Sequence, residues 1–89
     1  MREKISVNVV ILVTNREFNL QEAFEEAKTQ AYKMLGPNGN NEFGLFSGFN
    51  KSTDFVVVRF IGCRANYYYL GDSMDYEFSA WIERDCAVQ

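Results

Sequence analysis

The sequence predicts an α+β domain in which a single helix packs on a mostly antiparallel sheet of four to five strands, in the order β-α-β-β-β-β. Two patterns carry this expectation. Residues 4–14 place Ile5, Val7, Val9, Ile11 and Val13 at a period of two, with a β-branched side chain at each, as a strand with one buried face requires. Residues 19–36 repeat apolar side chains at spacings of three and four between an asparagine and a glycine, as an amphipathic helix requires. The 89 residues suffice for one core, so residues 1–89 are read as one domain.

The second face of the first strand begins polar at Lys4, Ser6 and Asn8 and turns apolar at Val10 and Leu12. A strand apolar on both faces is normally covered on both. A central place in the sheet is therefore expected for it.

Both ends of the helix are encoded locally. Asn19 is an N-cap residue, Glu22 holds the reciprocal capping-box position, and Phe18 precedes them as a candidate staple. Leu20, Ala23, Phe24, Ala27, Ala31, Met34 and Leu35 then form the packing stripe, with Glu22, Glu25, Glu26, Thr29, Gln30 and Lys33 left to solvent. Gly36 suits a left-handed C-terminal cap and Pro37 prevents continuation.

Residues 43–49 and 55–61 flank a polar turn at 50–54 and predict a hairpin. Gly44 and Gly48 weaken its first arm, whereas Val56, Val57, Val58, Phe60 and Ile61 strengthen the second. Gly62 permits a turn or bulge before residues 65–70, read as a further strand. Residues 75–83 fit two periods, of which the strand is preferred. Tyr76, Phe78, Ala80 and Ile82 alternate as in a strand, while a helix capped by Ser73 would gather Met74, Phe78, Trp81 and Ile82 on one face.

This element order bears on function. Five strands span about 24 Å, whereas one helix covers about 10 to 12 Å. Val10, Leu12 and some of Val56, Val58, Phe60, Tyr68 and Trp81 would then line an uncovered second face. A homodimer joined through sheet faces or edges is the expected cover, two-fold dimers being the commonest oligomers.

Composition narrows the function classes. Nine Lys and Arg face twelve Asp and Glu, a formal charge of -3 with a sequence pI near 4.8, so no basic field invites nucleic acid. Residues 55–62 also lack the basic-Gly pair and aromatic order of an RNP1 octamer. Histidine is absent, which removes the usual general base and the commonest metal ligand. Residues 1–14 show no signal-peptide pattern, and the longest apolar run, residues 9–13, is far short of the roughly 20 residues of a spanning helix. A cytoplasmic protein with no membrane segment is expected. Cys63 and Cys86 match no metal or redox spacing and are read as free thiols.

Three candidate sites emerge. For a protein partner, the loop with Asn40, Asn41 and Glu42, followed by Phe43, Phe46 and Phe49, offers polar groups beside aromatic ones. For a small ligand or nucleotide, Tyr67 or Tyr69 would stack a ring while Arg59 or Arg64 pairs with a phosphate; tyrosines that simply seal the domain or a dimer interface are the plainer reading of the same residues. For an enzyme without histidine, Cys63 beside Arg64 would be the nucleophile, or acids such as Glu42, Asp54 and Asp72 a carboxylate pair. Asp72, Asp75 and Glu77 cluster without the spacing of a calcium loop and read as a solvated turn. No cofactor and no metal site is expected. The expected function is that of a small, acidic, non-enzymatic protein-binding module, a regulator or inhibitor of the kind viruses also encode, acting as a dimer.

Overall fold

The computed structural model describes residues 1–37 and 45–86. Its elements run β1 (Arg2–Lys4), β2 (Val9–Asn15), α1 (Leu20–Leu35), β3 (Asp54–Asn66) and β4 (Ser73–Asp85). Among the described residues, one helix thus packs on a four-stranded, wholly antiparallel sheet, the predicted α+β class.

β4 organises the sheet. β3 pairs with it from Asn66↔Ser73 to Asp54↔Arg84, while β2 pairs with residues 74–80 and β1 with residues 83–85. A strand has two edges, so β1 and β2 must share the edge opposite β3 and follow one another along it. Between them, five steps from Lys4 to Val9 face three from Glu83 to Ala80. Ser6 fills the irregularity: its hydroxyl accepts from the Ile82 backbone N–H at 2.7 Å, and Ile5 N–H donates to the Ile82 carbonyl at 2.9 Å. The strand expected over residues 4–14 is therefore two strands, divided where a side chain takes over a backbone hydrogen bond.

The sheet is only three strands across, about 14 Å, and one helix covers most of one face. Ile11, Val13, Tyr76, Phe78, Ala80 and Ile82 are buried there beneath Ala23, Ala27, Ala31 and Leu35. Three alanines in an i, i+4 row let the helix approach closely, and Phe24 meets Phe78 edge to face at 5.5 Å. Each large side chain so buried contributes about 1.5 to 3 kcal/mol. Asn19 Oδ1 accepts from Glu22 N–H at 3.1 Å and Gly36, at φ 97°, donates to the Tyr32 carbonyl at 3.0 Å, as read; the Asn19 N–H, which the Glu22 side chain was expected to accept as the second half of a capping box, donates instead to Asn15 Oδ1 at 3.0 Å. Phe18 is exposed and takes φ 56°.

The ambiguous last segment is a strand. Its alternating side chains Tyr76, Phe78, Ala80 and Ile82 are all buried, and partners on both edges make it the central strand. The central position expected for β2 falls to β4 instead. β2 lies at the edge, and Val10 and Leu12 stay 61% and 59% exposed on the uncovered face. Val56, Val58 and Phe60 pair with Ile82, Ala80 and Phe78 and so face the helix, whereas Trp81 joins Val10 and Leu12 on the open face.

Two further expectations change. Residues 45–50 form no strand, because Gly48 turns to φ 83° while Phe46 and Phe49 pack half-buried against the core; Phe43 and Gly44 lie outside the described residues. Gly62 does not reverse the chain. An extra residue at Ile61 makes a bulge between Phe60 and Gly62, and β3 continues to Asn66, absorbing the start of the strand expected at 65–70.

The resulting hairpin has 13-residue arms, about 44 Å long, and it dominates a molecule measuring 57 × 26 × 18 Å. At its base the buried Asp54 carboxylate accepts Arg84 Nε and Nη2 at 2.7 and 2.9 Å, Thr53 Oγ1 at 2.9 Å and Asn50 N–H at 2.8 Å. The paired guanidinium holds this carboxyl well below the usual carboxylate range, with the Asn50 and Thr53 donors adding to the effect. Residues 50–53 turn here, with Thr53 and Asp54 N–H both donating to the Asn50 carbonyl at 3.1 and 2.8 Å.

Candidate protein-binding surface

The distal end of the hairpin carries no such lattice. After the last pair, Asn66↔Ser73, residues 67–72 round the turn, closed by a 3.3 Å bond from Gly71 N–H to the Tyr68 carbonyl. Gly71 holds φ 140°, a conformation that suits glycine. Tyr67, Tyr68, Tyr69 and Leu70 are 78%, 61%, 100% and 86% exposed. The tyrosines have left the strand, so the alternation that would have separated Tyr68 from its neighbours does not operate, and four consecutive apolar or aromatic side chains meet solvent at one tip. β2 ends beside it at Asn15↔Met74. Asn15 Oδ1 accepts from Glu17 and Asn19 N–H, both at 3.0 Å, and so shapes the loop that presents Arg16. Arg16, Tyr68, Tyr69, Leu70 and Gly71 line a depression of about 400 Å³.

The other predicted site residues are distributed differently. Asn40, Asn41, Glu42 and Phe43 lie outside the described residues. Phe46 and Phe49 serve the core, and Phe49 also lines a depression with Tyr32, Pro37 and Lys51. Arg59 pairs with Ser79 on the open face. Arg64 lines a depression of about 350 Å³ with Leu12, Gly62, Cys63, Asp75 and Glu77, separate from the one that holds Tyr69. The Asp75 carboxylate of that depression accepts the Thr14 hydroxyl at Oδ1 at 2.7 Å, which lowers the Asp75 pKa, with the Arg64 charge adding to the effect. Among the described residues no three His, Cys, Asp or Glu side chains gather as a metal site. Cys63 is exposed and Cys86 half-buried, both free thiols.

Much of the open sheet face near the hairpin base is tiled by cations. The Arg2 guanidinium lies 4.2 Å from the Phe55 ring centre and 3.9 Å from Glu83, and Lys4 Nζ lies 5.7 Å from Trp81. Trp81 Nε1 donates to Glu83 Oε2 at 2.8 Å. These aromatics are occupied within the molecule; those of the tip are not covered.

Sequence reasoning singled out Tyr67 and Tyr69 but missed Leu70 and Arg16. The signal was available: Leu70 and Gly71 directly follow the tyrosines, and glycine there marks a turn. Among the described residues no helix is long and apolar enough to cross a membrane. Compared with known proteins, the chain matches no family model, no curated protein and no solved structure.

Proposed function

We propose that the chain is a non-enzymatic protein-binding module, a regulator or inhibitor, that works as a homodimer in the cytoplasm and engages its partner with the β3–β4 tip. The supporting observation is the uninterrupted exposure of Tyr67, Tyr68, Tyr69 and Leu70. Rings held on a hairpin turn offer large contact area at little entropic cost, and tyrosine adds a polar hydroxyl at its end. Tyrosine and arginine are also the residues on which binding energy concentrates, and Arg16 stands beside the rings. An exposed free thiol at Cys63 suits a reducing compartment.

Native mass spectrometry of the untagged protein from its own host, with and without reductant, tests this reading. A dimer mass stable to reductant, together with a heavier species containing a second polypeptide, is the expected result. A monomer carrying a discrete small-ligand mass would replace it with a ligand-binding reading.

A further inference from the structure

β2 has the composition of a central strand and the position of an edge strand. Val9, Val10, Ile11, Leu12, Val13 and Thr14 include no charge, proline or glycine, and alternate residues of an edge strand direct their N–H and C=O groups outward, away from the sheet. Edge strands are normally protected by charges, bulges or proline. The opposite edge, β3, has such protection: a bulge at Ile61 flanked by Arg59 and Arg64. β1, on the same edge as β2, is Arg2, Glu3 and Lys4. β2 alone among the described strands is left bare.

We infer that β2 is the dimer interface, pairing antiparallel with β2 of a second copy across a two-fold axis at Leu12. Strands paired in one continuous sheet must set core-facing residues opposite core-facing ones. With Leu12 on the axis, Val9 meets Asn15, Val10 meets Thr14 and Ile11 meets Val13 of the second copy. All seven residues of β2 are matched, inner face to inner face, and no ionised side chain is opposed to another. Val10 and Leu12, now 61% and 59% exposed, gain cross-strand neighbours on the open face, and β2 acquires the two flanking strands that its sequence anticipates. The two hairpin tips then point in opposite directions, giving a bivalent particle.

This inference rests on the dimeric part of the proposed function and can fail separately from it. Size-exclusion chromatography with light scattering, combined with amide hydrogen exchange at low and high protein concentration, tests it on the wild-type chain and on Val10→Lys/Leu12→Lys, whose changes face solvent. A dimer whose amides over residues 9–15 gain protection with concentration, and whose dissociation constant rises by about tenfold or more in the variant, is the expected result. A monomer at every concentration would overturn the inference and the dimer together. A wild-type dimer whose concentration-dependent protection lies elsewhere, or a folded variant that dimerises as tightly, would overturn the inference alone.

Discussion

The two ends of the β3–β4 hairpin contrast within one element. At the base, Asp54 binds Arg84 through two hydrogen bonds and fixes the turn at Asn50, while Arg2 and Lys4 lie over the nearby rings of Phe55 and Trp81. At the tip, three tyrosines and a leucine extend into solvent. Polar groups are buried where the chain needs anchoring, and apolar groups are exposed where it does not. Exposure of that kind adds nothing to folding stability, which directs attention to the tip as the place where binding energy is held in reserve.

The contrast predicts that the same hairpin responds very differently along its length. The largest effect belongs to Asp54→Ala, which strips the buried end of the Arg84 pair and leaves the Asn50 N–H without its acceptor. A loss of about 3 kcal/mol is expected in urea unfolding; a loss under about 1 kcal/mol would show that the base is not the anchor. The same pair predicts the acid limb of stability. Asp54 has a lowered pKa in the folded state, so its contribution is fully present above the unfolded value near 4 and is lost as pH falls from there through the folded value. The stability difference between wild type and Asp54→Ala should therefore narrow below about pH 4, and a difference that stays constant to pH 2 would refute the assignment.

Smaller effects sharpen the comparison. Gly71→Ala forces a side chain into φ 140° and is expected to cost about 1 to 2 kcal/mol, since the turn itself is structural even where its side chains are not. Lys4→Ala should cost about 0.5 to 1 kcal/mol by uncovering Trp81, readable as a shift in tryptophan emission. Tyr67→Ser/Tyr69→Ser/Leu70→Ser is expected to change stability by less than about 0.5 kcal/mol. A larger loss would make the tip part of the fold.

How much of this was written in the sequence differs along the chain. The helix was legible to its ends because Asn19 and Gly36 act locally, on backbone groups a few residues away, whereas the return bond expected from Glu22 is replaced by Asn15 from outside the helix. The alternation of Tyr76, Phe78, Ala80 and Ile82 already favoured a strand, but a helical period fitted the same residues, and pairing with β2 and β3 is what decides between them. Which strand lies at the centre is a pairing property, and no local pattern in Val10 or Leu12 distinguishes burial within one chain from burial between two. At the candidate site, the tyrosines were conspicuous as composition, but their joint exposure depended on the hairpin turning after Asn66 rather than continuing as a strand. Arg16 joined them only because β2 ends beside the tip, a proximity separated by some fifty residues of chain.

The most direct test immobilises the wild-type protein and Tyr67→Ser/Tyr69→Ser/Leu70→Ser, matched by circular dichroism and thermal unfolding, and exposes both to extract from the natural host. The account predicts that a stoichiometric protein partner is retained by the wild type and that its affinity falls about thirtyfold or more in the equally stable variant. Equal retention by both proteins would contradict it.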